Sequence, residues 1–254
     1  MNKYLEEIIT PLSKHADSTN EAREFYKKFW GEKVDNYGGE TIISFNTMAG
    51  CLIRCLPEYF AEGFTMPSNQ EQKRRLEIIE KSDHVSIDLK NNFRKFYHLY
   101  HSLANFMPLI IDNENSLNSQ KNNFYHDFPD SFFADVRKIY ITENFSSKWL
   151  SKRNEEYFES FGKGDEGWKN FVEQNYLQDF FKDETFSDFI QLNPNNDIMP
   201  FRKKAKEWKK KVKENDEDIK RCKDDINKFL VNAISIIELR AKRLENTEKS
   251  NLNN

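Results

Sequence analysis

A chain of 254 residues with 39 basic and 42 acidic side chains carries a net charge of −3. This excludes a global field that would steer it onto nucleic acid and leaves only local basic patches for that purpose. Hydrophobic residues are only 37% of the chain, yet 22 Phe, 10 Tyr and 4 Trp are among them, and since each buried aromatic removes about 150–250 Å² from water, an aromatic core is expected.

Taken in chain order, Leu5, Ile8, Ile9 and Leu12 fall at helical spacing, with Pro11 arguing for an early end or a kink. Asp17-Ser18-Thr19-Asn20 supplies cap oxygens for a helix over 21–30 that buries Phe25 and Phe29. Gly38-Gly39 breaks the pattern, and 41–56 reads as a buried helix ending at Pro57, although its Ile42-Ile43 start also suits a strand. The next helix, 70–81, turns Leu76 and Ile79 inward and Lys73, Arg74 and Arg75 outward. A further helix shows Leu89, Phe93, Phe96, Tyr97, Tyr100 and Leu103 along one face and is closed by Pro108, with a short strand over 107–111.

The polar run 112–123 reads as a surface loop. Helical spacing resumes at Phe132, Phe133, Val136, Ile139 and Tyr140, then over 149–161, which is stopped by Gly162-Lys163-Gly164, and over 167–181. Phe201, Ala205, Trp208 and Val212 form one apolar stripe. Ile219, Cys222, Ile226, Phe229, Ala233, Ile237 and Leu244 form a second. The expected fold is mainly α: a single compact helical core over 1–196 with one short β-hairpin near 106–118, a C-terminal helical hairpin over 197–246 packed on that core, and a flexible tail over 247–254.

Cys51, Cys55 and Cys222 are too few and too scattered for a disulfide scaffold and read as inert, partly buried thiols. No apolar run approaches the roughly 20 residues of a membrane span. Glu6 and Glu7 interrupt the stretch where a secretion signal is apolar. A cytoplasmic chain without membrane contact, metal or cofactor is the expectation.

Four groups of residues could carry chemistry. His98, His101 and Asn105 share a face if the helix runs through them, with Asn118 beyond the turn, an arrangement suited to acid–base work or to a metal. The competing reading is that they satisfy backbone groups at a helix end. The stretch 202–213, including Lys209 and Lys210 around Trp208, could grip a phosphate backbone, but it is followed at once by the acidic run 214–218. Gly162-Lys163-Gly164-Asp165-Glu166-Gly167 lacks phosphate-loop spacing and reads as a turn. Asp127, Asp130 and Asp135 flank Phe132-Phe133 without a further element that would complete a cation site.

The segment His101-Ser102-Leu103-Ala104-Asn105-Phe106-Met107-Pro108-Leu109 resembles a family of uncharacterised bacterial proteins. That family reads His-Thr-Ile-Gly, a short apolar run and Pro, then Thr-Ile-Asn-x-x-Arg-Gly, then Asp-Arg-Phe-Asp-Leu-Thr-Leu heading a helix. The second block reads here Ser116-Leu117-Asn118-Ser119-Gln120-Lys121, and the third reads Asp130-Ser131-Phe132-Phe133-Ala134-Asp135-Val136. Residues 168–180 are similar to the family's aromatic region, and the resemblance spans about residues 37 to 245. Ala104 stands for the family's Gly, Lys121 for its Arg and Phe133 for its second Asp. The resemblance implies that His101, Asn105, Asn118 and Asp130 lie close together, and it supplies no reaction.

Two functions follow as expectations. The first is a non-enzymatic intracellular interaction protein, such as a bacterial or phage effector, inhibitor or phage-defence component. It would bind another protein, or nucleic acid through the 202–213 face, and dimerise through its C-terminal helices. The second is a nucleic-acid-acting or small-molecule enzyme with His101 as acid–base, Asn105 and Asn118 orienting, and Lys121 and Asp130 binding.

Overall fold

The structure, a computed structural model, describes residues 2–8, 16–31, 37–110, 129–144, 152–186 and 217–252. The fold is mainly α, with eight α-helices and one two-stranded antiparallel sheet among the described residues. The helices are α1 (Asn20–Trp30), α2 (Phe45–Ile53), α3 (Gln72–Lys81), α4 (Ile87–Leu99), α5 (Pro129–Thr142), α6 (Lys152–Glu159), α7 (Gly164–Gln174) and α8 (Glu217–Leu252). The strands are β1 (Tyr37–Thr41) and β2 (Phe106–Ile110). Contacts divide the chain into two units, where the sequence suggested one core. The first comprises Met1–Ile43, Leu99–Ile190 and Ile236–Asn254, and the second Ser44–His98 and Gln191–Ser235.

In the first unit, α1 starts where Thr19 Oγ1 accepts from the Ala22 amide at 3.2 Å and stops at Gly31, whose φ of +75° favours glycine. It buries Ala22, Phe25 and Tyr26. The sheet pairs β1 with β2, Gly39 opposite Pro108, so β2 lies where the sequence placed a hairpin while its partner comes from 37–41. Proline is tolerated in this two-stranded sheet because one side of each strand makes no ladder bonds. Gly39 is obligatory for a different reason: a Cβ there would overlap the Asp17 carbonyl and the Tyr26 hydroxyl.

Elsewhere in this unit, α5 packs on α7, with Tyr140 6.1 Å from the Trp168 ring and Trp168 stacked on Phe171, while Phe133 meets Phe180 and Phe181 beyond α7. The polar atoms of these rings are satisfied. Tyr140 donates to the Phe158 carbonyl at 2.9 Å and Trp168 Nε1 to the Phe186 carbonyl at 3.3 Å, as buried donors must be to avoid a desolvation cost.

In the second unit, Ser44 caps α2, and Phe45 meets Phe93 edge-on at 6.1 Å. α2 packs on α3. Leu76 and Ile79 point inward as the spacing predicts, but Arg75, expected on the outer face, is buried. Its guanidinium donates to the carbonyls of Pro67 and Asn46 and to Asn69 Oδ1, closing the loop before α3. Multiple carbonyl partners are what allow a charge to be held out of water.

Residues 217–235 of α8 belong to the second unit and residues from 236 onward to the first. Ile219, Cys222, Ile226, Phe229, Ala233, Ile237 and Leu244 are all buried, which is the stripe the sequence shows. The other arm of the expected helical hairpin, over 201–213, lies outside the described residues. No described helix is long and apolar enough to cross a membrane.

Candidate functional site

The candidate histidine–asparagine site is built at the end of α4, and its geometry differs from a continuous helix face. α4 stops at Leu99, residues 100 and 101 form a turn, and Leu103–Asn105 make a single 3₁₀ turn that leads into β2. His98 and His101 are therefore not successive members of one helical face. The stop is enforced by side chains that satisfy the last carbonyls: Ser102 Oγ donates to the Leu99 carbonyl at 2.7 Å, and Asn105 Nδ2 to the Tyr100 carbonyl at 2.9 Å. Without such partners a buried helix end is unstable.

Asn105 is fully buried and committed to backbone. Its second amide hydrogen goes to the Ile43 carbonyl at 2.9 Å, and its oxygen accepts from the Ile43 amide at 3.1 Å. Its own carbonyl takes the Ile42 amide at 2.8 Å. Both amide hydrogens are thus spent, and Asn105 pins the chain after β1 to the chain before β2. The orienting role that the sequence suggests for it is replaced by a structural one.

His101 is half-buried. Its ring lies on the Tyr100 ring with centroids 3.8 Å apart, and its carbonyl accepts from the Ile8 amide at 3.0 Å, beside the bridge between Glu7 and Ser102. Asp130 falls in the first turn of α5. Asn118, Lys121, Lys209 and Lys210 lie outside the described residues, as do Asp127 and the whole 202–213 stretch. Among the described residues no group of three or more His, Cys, Asp or Glu converges as a metal site.

The charged groups that do organise the first unit were not singled out by the sequence reading. Arg240 on α8 is fully buried. Its Nη1 donates to the carbonyls of Ala104 and Phe106 at 2.6 and 2.9 Å, its Nη2 to Asn175 at 3.2 Å and its Nε to Tyr176 at 2.9 Å. Burial pushes its pKa down to about 10, partly offset by the fields of Tyr26, Asp179 and Tyr176. One clue was present in the sequence: the buried stripe steps from Ile237 to Leu244, and helical spacing puts position 240 inside that gap.

Beside Arg240, the Asp179 carboxylate holds Arg243 in a two-pronged pair, both contacts 2.9 Å, which raises the Arg243 pKa. Further along α8, Glu248 accepts from the Tyr4 hydroxyl at 2.7 Å, from Lys3 at 2.8 Å and from Lys28. Lys28, then Lys3, then Tyr4 hold its carboxyl down at about 2.

The outer face of this end of α8 lines a groove of about 510 Å³ with Leu239, Lys242, Arg243, Asn246, Thr247 and Ser250, closed on one side by Asp179. Leu239 is 45% exposed and so presents apolar surface to solvent. With Arg243 neutralised by Asp179, Lys242 leaves the groove net positive. Comparison of the chain with family models, with curated proteins and with solved structures finds no match.

Proposed function

We propose that the protein acts by binding another protein, with the outer face of α8 as its contact surface. The observation that carries this reading is the groove at 239–250, where an exposed leucine sits among a lysine, an arginine and three hydrogen-bonding side chains on one helix face. An apolar anchor inside a polar rim is the composition of a binding surface. The net positive lining selects an acidic segment of the partner, which would gain both the Leu239 contact and the Lys242 field.

A second reading, acid–base chemistry at His101, is favoured by the half-buried position of that residue, with its imidazole on the Tyr100 ring. One experiment weighs both. A photo-crosslinker placed at position 239 in the source cell is expected to label a defined protein. The double variant Leu239→Asp, Lys242→Glu should lose that partner with its melting temperature unchanged, whereas His101→Ala should retain it. Retention of the partner by the groove variant would overturn the binding reading. Loss of cellular activity with His101→Ala alone would establish the catalytic one.

A further inference from the structure

Within the second unit, the fold joins two cysteines that the sequence holds far apart. Cys55 lies just after α2 and Cys222 in the second turn of α8, and their sulfurs are 2.9 Å from each other. Both side chains are 1% exposed. The Cys55 thiol also reaches the Cys51 carbonyl at 3.4 Å. All three cysteines are thiols and all are buried.

We propose that Cys55 and Cys222 form a reversible disulfide under peroxide, locking the start of α8 to the end of α2 within the second unit. The sulfurs need to approach by only about 0.9 Å to reach the covalent distance of roughly 2.05 Å.

The chemistry balances with hydrogen peroxide as the two-electron oxidant. One sulfur, as thiolate, attacks a peroxide oxygen and displaces hydroxide, which takes up a proton and leaves as water. The second sulfur then attacks the resulting sulfenic acid, forming the S–S bond and releasing a second water. Burial raises the Cys222 thiol well above its ordinary range, so Cys222 is slow to react while it is enclosed. Access comes from opening of the first turns of α8, since helix ends open at the lowest free-energy cost. Cys222 sits there, and peroxide is small enough to follow.

The test uses the full wild-type chain. It is treated with hydrogen peroxide, quenched in acid, alkylated under denaturing conditions and mapped by mass spectrometry. A peptide linking Cys55 to Cys222, two hydrogens lighter than its parts, is expected, with Cys51 alkylated, and dithiothreitol should reverse the link. Cys51→Ser should form the same link. Amide exchange across 219–226 should slow by more than about tenfold in the oxidised chain. Three alkylated thiols after prolonged exposure would overturn the proposal, as would a link that uses Cys51 as often as Cys55. Direct mapping of the wild type makes the outcome independent of whether Cys55→Ser or Cys222→Ser folds.

Discussion

At the scale of single residues, Asn105 and His101, four positions apart after α4, have opposite fates. Asn105 makes three buried hydrogen bonds to backbone, and truncating it orphans the Ile43 amide and strips a partner from two carbonyls. Each such buried group costs about 1–3 kcal/mol, so Asn105→Ala should lose about 3 kcal/mol or more in urea unfolding. His101→Ala, removing a half-buried ring that lies on the Tyr100 ring, should lose less than about 1 kcal/mol. A small loss for Asn105→Ala would show that its carboxamide is not the pin described above.

Glu248 makes a second residue-scale prediction, with a sign that follows from its depressed pKa. The folded value is about 2 against an ordinary 4.5. The stabilisation is therefore complete above pH 4.5 and is lost as the pH falls from there toward 2. Lys3 and Lys28 are about half exposed, so solvent screening keeps the contribution within about 1 kcal/mol. Wild type should melt above Glu248→Gln at pH 6, and the gap should close by pH 2. A gap constant across that range would assign the difference to packing instead. The stripe hints that position 240 is buried, but the partners of Glu248 and Arg240 are not legible in the chain, because they lie far away in sequence: Lys3, Lys28 and Tyr4 for one, the carbonyls of residues 104, 106, 175 and 176 for the other.

At the scale of elements, what could be read was local. Apolar spacing located α1, α3, α4, α5 and the buried stripe of α8, because one face of each helix is buried and periodicity records that directly. Apolar spacing carries α4 on toward Pro108, but the helix ends nine residues earlier, at Leu99, where Ser102 takes its last carbonyl and Asn105 the next one. β1 was hidden because Gly38-Gly39 reads as a breaker. Its glycine content answers a neighbour rather than a turn, since Gly39 must admit the Asp17 carbonyl and the Tyr26 hydroxyl. Gly39→Ala should therefore push β1 off both groups and cost about 2–4 kcal/mol, read as a lowered urea midpoint. An alanine variant as stable as wild type would mean that β1 can move away from Asp17 without losing its pairing with β2.

At the scale of the whole molecule, the units are not contiguous stretches of chain. The first is assembled from three segments and the second from two, and α8 contributes its first half to one and its second half to the other. A division at residue 196, where the sequence places the end of the core, removes from the first unit Arg240, Arg243 and Glu248, and from the second Cys222, Ile226, Phe229 and Leu230. The carbonyls of Ala104, Phe106, Asn175 and Tyr176 would lose their shared donor, and the aromatic interiors of both units would face water. A chain ending at residue 196 should accordingly lack a cooperative thermal transition and bind a hydrophobic dye. Adding a peptide of residues 217–252 in trans should restore near-ultraviolet dichroism, since the missing helix supplies the buried face of each unit. A truncated chain that melted cooperatively on its own would show that residues 1–196 fold independently and that α8 is an accessory to both units.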